Sequence, residues 1–107
     1  MYIPERGDIC WLTFDPQAGH EQAKRCPALI ISESIFNTIG LAVVCPITSA
    51  RPKHGFHISL PDALSTAGCV MTEQIKSLDF VTRKAEFIEH APMGFIQLIR
   101  SIVARIV

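Results

Sequence analysis

The sequence predicts a mainly β protein finished by one C-terminal α-helix, and three observations carry that prediction. Short runs of β-branched, aromatic and aliphatic residues recur along the chain, punctuated by Gly, Pro, Asp and Ser. The first of these runs is apolar on both faces, as expected of a strand covered on both sides. From Pro92 the period changes. Phe95, Leu98, Ile99, Ile102, Val103 and Ile106 recur at three and four residues, opposite Gln97, Arg100, Ser101 and Arg105. Several short strands followed by one amphipathic helix imply an antiparallel sheet or small barrel with the helix laid against it.

The elements follow in order. Gly7 and Asp8 read as a turn before a strand at residues 9–14, which Asp15-Pro16 breaks. A polar connection leads to a buried-type strand at 28–32, then a short excursion over 34–40 ending at a glycine. The strand at 41–48 contains Pro46, which demands an edge, a bulge or a strand end. A basic loop at 50–53 precedes 55–60, where Phe56, Ile58 and Leu60 alternate with His57 and Ser59. Residues 61–68 read as loop, and 69–74 and 84–89 as shorter strands. Pro92 suits the first helical position.

With 107 residues and no composition break, the chain reads as a single domain, 1–107. Apolar residues make up 49%, which excludes disorder and leaves apolar surface for a partner, most simply a second copy in a homodimer. The net charge is zero, so composition supplies no global case for nucleic acid, and any anion site must come from local clustering. Cys10, Cys26, Cys45 and Cys69 show no CxxC pairing and sit in or beside apolar runs, as buried thiols of a reducing compartment do. The N-terminus lacks a signal pattern and no run is long enough to span a membrane. Together these predict a cytoplasmic protein without a membrane partner.

Titratable chemistry concentrates in GHEQAKRCP, residues 19–27. His20, Glu21, Lys24 and Arg25 offer a proton carrier, a carboxylate and two cations from one connection. Thr48, Ser49, Arg51, Lys53, His54, Glu73, Gln74 and Lys76 stand in other loops or at strand ends. In a small barrel the loops at one end converge, and such a set suits a phosphodiester. An attacking 2′-hydroxyl loses a proton, a leaving 5′-oxygen gains one, and the phosphorane needs cations and donors. The plainer alternatives are a solvated charged loop, hydroxyls that only end a strand, and Phe56 as core rather than a base-stacking aromatic. His54 and His57, three apart on a strand, would point to opposite faces, so no metal site is expected.

RGDICWLTFDPQAGHEQ followed by PALIIS, VVCPITS, GF and GCVMTEQIKSLD resembles the MazF/PemK (Kid) family of toxin endoribonucleases, nearly end to end. The most specific piece is GD-x-x-W-x-x-F-D-P-x-x-G-H-E-Q. The resemblance implies a dimeric SH3-like β-barrel with a C-terminal helix. It implies cleavage of single-stranded RNA without metal or cofactor, leaving a 2′,3′-cyclic phosphate and a 5′-hydroxyl. It also implies a cognate antitoxin whose acidic C-terminal segment fills the RNA groove. By motif, Thr48 matches the family's catalytic threonine, and Glu21 and Lys76 match residues affecting activity or substrate contact. His20, Ser49, Phe56 and Glu73 fall where the groove is lined.

One position departs. The family's catalytic arginine directly precedes the proline; here Cys26 stands there and Arg25 one residue earlier. A second cationic position of the PemK branch holds Met71. A thiol has neither permanent charge nor a donor fork, and a one-residue shift in a strand reverses the face unless a bulge intervenes. Two main readings follow. In one, an active ribonuclease uses Arg25 as displaced stabiliser, Thr48 to orient the phosphate and His20 or Glu21 to move protons. In the other, a weakened homologue binds antitoxin or RNA only. A third reading is a related barrel that makes only protein contacts. In the ribonuclease, Lys24, Arg25, Lys53 and Lys76 are expected to make the groove locally positive.

Overall fold

The computed structural model describes residues 1–14 and 25–107. His20, Glu21 and Lys24 lie outside the described residues, as does the break at Asp15-Pro16.

Among the described residues seven strands form the body: β1 (Asp8–Thr13), β2 (Arg25–Ile30), β3 (Leu41–Thr48), β4 (His57–Ser59), β5 (Cys69–Met71), β6 (Lys76–Asp79) and β7 (Glu86–His90). One helical turn, α1 (Ser34–Asn37), fills the expected excursion, and α2 (Met93–Val103) is the C-terminal helix. All pairings are antiparallel, in the order β4-β5-β3-β2-β1-β7, with β6 on β3 off that path. Among the described residues the sheet is not closed, and the mainly β class with its C-terminal helix and SH3-like character holds.

β3 explains its own proline. On one edge it pairs with β2 through residues 44–46. On the other it pairs with β6 up to Val44 and with β5 only from Ile47. Pro46, which has no N–H to give, falls where the strand changes partner. β6 is the strand the sequence pattern hides. Among Lys76–Asp79 only Leu78 is buried, so alternation is too short to register.

β1 sends successive side chains into two cores, as its two-faced apolar pattern predicts. Ile9 packs with Leu29, Cys45, Ile47 and Val70 under Phe95, Ile96, Ile99 and Val103 of α2. Cys10 and Leu12 pack with Ala28, Ile30, Val44, Leu78 and Phe80. α2 starts one residue later than the sequence suggests: Pro92 is its N-cap, and its carbonyl accepts from the Ile96 amide at 3.1 Å. Leu98 on the helix is exposed, and α2 ends at Val103, before Ile106 of the expected helical stripe, which is also exposed.

Two carboxylates pin the periphery. Asp8 accepts from the Tyr2 hydroxyl at 2.6 Å and the Glu5 amide at 3.0 Å, and its other oxygen meets His90 Nδ1 at 2.8 Å, tying the N-terminal segment to β7. Glu89 of β7 accepts from both the amide and the hydroxyl of Ser65 (3.0 and 2.9 Å) and of Thr66 (2.7 and 2.6 Å). This staples the 61–68 loop to the sheet. Burial works to raise the Glu89 carboxyl, but these donors outweigh it and pull the group from 4.5 to about 2. Because the folded value is depressed, the staple's stabilisation is complete above pH 4.5 and fades as pH falls toward 2. Glu89→Gln is therefore expected to lower Tm at neutral pH. Thermal melts between pH 7 and pH 2 check this: the gap to the parent closes on acidification, and a gap independent of pH would refute the assignment.

Candidate active site

Thr48 ends β3, and strand register decides what shares its face. Thr48 pairs with Cys69, and Met71 of the same strand pairs with His57. Directly opposed residues and alternate residues of a strand project the same way, so Thr48, Cys69, Met71 and His57 lie on one face. Ala28 pairs with Pro46. The β2–β3 ladder ends at that pair, and beyond it Cys26 keeps the face of Ala28 by strand alternation. The Thr48 Oγ1 accepts from the Ala50 amide at 3.2 Å, a local turn bond that orients the hydroxyl and leaves its proton to donate. Gly68 closes the other side at φ +118°, so near that a Cβ there would stand 2.0 Å from the Thr48 carbonyl oxygen.

Arg25 is elsewhere. Its residue pairs with Thr13, in a register unbroken from Ile9↔Leu29 onward. No bulge restores its direction, and it falls on the face opposite Cys26. Its guanidinium donates to Thr13 Oγ1 at 3.0 Å, to the Arg83 and Lys84 carbonyls at 3.4 and 2.7 Å, and to Glu86 Oε1 at 3.2 Å. β1 and β7 lie on one side of β2 and β3 on the other, so the guanidinium leans away from Thr48.

The densest polar group on the Thr48 face is one the sequence reading dismissed. His54 and His57 do not point apart, because β4 begins only at His57 and His54 sits in the turn before it. Their ring centroids are 4.1 Å apart. His57 Nε2 lies 2.8 Å and His54 Nε2 3.4 Å from Glu73 Oε2. The Lys53 amide donates to His57 Nδ1 at 3.3 Å and the Phe56 amide to His54 Nδ1 at 3.2 Å. Both Nδ1 atoms are thus acceptors, so the protons sit on Nε2 and point at the carboxylate. Glu73 comes from the 3₁₀ turn Thr72–Gln74, which Thr72 fixes by donating from its amide and hydroxyl to the Phe56 carbonyl at 3.1 and 2.6 Å.

The two Nε2 atoms and a Glu73 oxygen fall within 4.8 Å of one another, a spacing a metal could bridge. The hydrogen bonds argue against it. A metal on Nε2 requires a proton on Nδ1, and a backbone N–H already points at each Nδ1. Burial works to raise the Glu73 carboxyl, yet the His57 bond, its own backbone amide and the two imidazoles together hold it below the usual carboxylate value.

The remaining residues take three places. Ser49 and Cys26 border an open pocket of about 470 Å³ with Trp11, Pro27, Ile47, Thr66 and Ile88. Lys76 opens β6 with its Nζ 5.2 Å from the centre of the Phe14 ring, beside the end of β1. Phe56 is 44% exposed, not core, and meets His54 in a T-shaped contact with ring centroids 6.2 Å apart. The fold thus gathers Lys53, Phe56 and Glu73 around the two histidines and sets Thr48 on their face, with Ser49 and Lys76 at the flanks and Arg25 apart. The role of His57 was missed; Gly55, a turn residue between the two histidines, was the signal that could have brought them together.

A mostly antiparallel, half-closed sheet under one C-terminal helix, with a hydroxyl and a histidine-held carboxylate on one face, is a fold with solved counterparts. MazF in a MazE–MazF crystal structure from Deinococcus radiodurans superposes with a TM-score of 0.91 at 37% identity, covering 99% of this chain and 96% of that one. The chain belongs to the PemK-like, MazF-like toxins of type II toxin-antitoxin systems, whose family model matches residues 5–107. The endoribonuclease toxin MazF of Escherichia coli strain K12 is 32% identical over 85 residues, 78% of this chain and 76% of the relative. The endoribonuclease PemK of Escherichia coli is 38% identical over 94 residues, 82% of this chain and 70% of the relative. Among the described residues no helix is long and apolar enough to cross a membrane.

Proposed function

We propose that this chain is the toxin of a type II toxin-antitoxin pair, an endoribonuclease that cuts single-stranded RNA, mRNA included, without metal. The observation that carries the reading is family membership across residues 5–107, supported by the motif threonine, Thr48, sharing a strand face with His57, which contacts the Glu73 carboxylate. Glu73 takes the proton of the attacking 2′-hydroxyl. Thr48 donates to a non-bridging phosphate oxygen, and the products are a 2′,3′-cyclic phosphate and a 5′-hydroxyl. Lys53, Lys76 and Ser49 contact phosphates, and the exposed Phe56 ring stacks a base. His20, Glu21 and Lys24, by their place in the motif, assist proton transfer and phosphate binding. Arg25, held to Glu86 and two carbonyls, acts as a clamp on β7. The toxin works as a cytoplasmic homodimer of a single domain, and the acidic tail of a cognate antitoxin occupies the same groove.

The second reading, a weakened toxin that chiefly binds, is favoured by Cys26, a thiol where the family pattern implies an arginine. Purified protein incubated with single-stranded RNA in EDTA tests the two. Cleavage that slows as salt rises is expected, because lysine–phosphate contacts release counterions. Binding without cleavage supports the second reading, and neither refutes both.

A further inference from the structure

We propose that His54 and His57 are positioning residues that hold the Glu73 carboxylate as the proton acceptor of the RNA-cleaving site. The inference rests on the endoribonuclease reading above and adds the device that makes Glu73 usable. His57 is buried and His54 is half-exposed, so one anchors the carboxylate from within and the other from the groove side. His57 Nε2 hydrogen-bonds Oε2 at 2.8 Å and His54 Nε2 faces the same oxygen at 3.4 Å, and main-chain amides four and two residues away orient the two rings. A short turn, 53–57, therefore encodes its own tautomers, and the carboxylate needs no cation to stay charged and aimed.

Other groups facing Glu73 do not compete. Burial, with the Glu73 charge adding to it, pushes the Cys45 thiol up to about 12, and the same two causes raise Cys69. Both thiols stay protonated at the working pH. The only charged side chain of α2, which packs on the 72–74 turn, is Arg100, and it is exposed. The step balances without any further group. The 2′-O–H bond breaks with its proton passing to Glu73, the 2′-oxygen bonds to phosphorus, and the 5′-oxygen leaves and takes a proton from water.

The test uses the full chain with ¹³C-labelled glutamate and compares the parent with His54→Ala, His57→Gln and His57→Phe. Glutamine keeps an N–H donor near the Nε2 position; phenylalanine keeps the ring and loses the donor. The Glu73 carboxyl signal, assigned with Glu73→Gln, is expected to titrate at higher pH in His54→Ala and His57→Phe. The low-pH limb of kcat for RNA cleavage is expected to move up with it, and both are expected to return toward the parent in His57→Gln. His54→Ala, at a half-exposed position, keeps the test alive if His57→Phe fails to fold. A carboxyl titration and a kcat limb that stay put in His54→Ala overturn the inference while leaving the endoribonuclease standing. Stoichiometric Zn²⁺ binding that His54→Ala abolishes also overturns it, in favour of a metal site. Absence of cleavage by the parent, with the carboxyl shifts still present, overturns the function reading and the catalytic half of the inference, and leaves only the contact.

Discussion

Cys26→Arg is expected to raise the RNA-cleavage rate by roughly 10²-fold, the scale of one well-placed donor to a developing phosphorane charge. The expectation comes from register. Residue 26 shares the strand face of Ala28, whose partner Pro46 lies two residues before Thr48, so a guanidinium there is expected on the face proposed to hold the phosphate. Residue 25 is one step along an unbroken ladder and points the other way. The companion variant is Arg25→Ala. Its guanidinium spans Thr13, two carbonyls and Glu86, so its loss is expected to loosen the β1–β2–β7 corner, at a cost of about 1 kcal/mol. The rate constant per folded molecule is expected to change little. Single-turnover cleavage with melts of both variants checks the pair. A Cys26→Arg protein no faster than the parent, together with an inert Arg25→Ala, would restore Arg25 to the chemistry.

Gly68→Ala is expected to be the most damaging small substitution in the described chain. At φ +118° an L-residue is strained, by about 1–3 kcal/mol. The added carbon would also stand 2.0 Å from the Thr48 carbonyl oxygen and 2.9 Å from its carbon, both main-chain atoms that cannot swing aside. Relief requires β5 and β3 to part at Thr48↔Cys69, which displaces the Thr48 hydroxyl. A Tm fall of about 10 °C or more follows from the size of the domain, with cleavage lost even where the protein remains folded. Gly55→Ala is the control, since nothing lies within 4 Å of its added carbon and its φ is not in the positive range. Equal, small effects of the two substitutions would contradict the packing described at Thr48.

The fold was legible because its signals are local. β1 and β3 were visible as apolar runs, and α2 as a change of period at Pro92. β6 was not, because a four-residue strand with one buried side chain has no pattern to read. The candidate site was proposed from motif more than from physics. Thr48, Glu73 and Phe56 could be placed by the resemblance, but composition with zero net charge pointed nowhere. Two things needed coordinates. The facing of Arg25 depends on whether a bulge interrupts the ladder, and that is a question of register rather than residue type. The convergence of His54 and His57 depends on β4 starting two residues later than the alternation suggests. Two residues turned a pair on opposite strand faces into a pair on one carboxylate.

The most direct measurement is end-group analysis of RNA incubated in EDTA with the parent protein, Thr48→Ala and Glu73→Gln. The expected result is fragments bearing 2′,3′-cyclic phosphate and 5′-hydroxyl ends from the parent, falling by roughly 10²-fold or more in each variant. Intact RNA with the parent, or fragments bearing 3′-hydroxyl and 5′-phosphate ends, would contradict it.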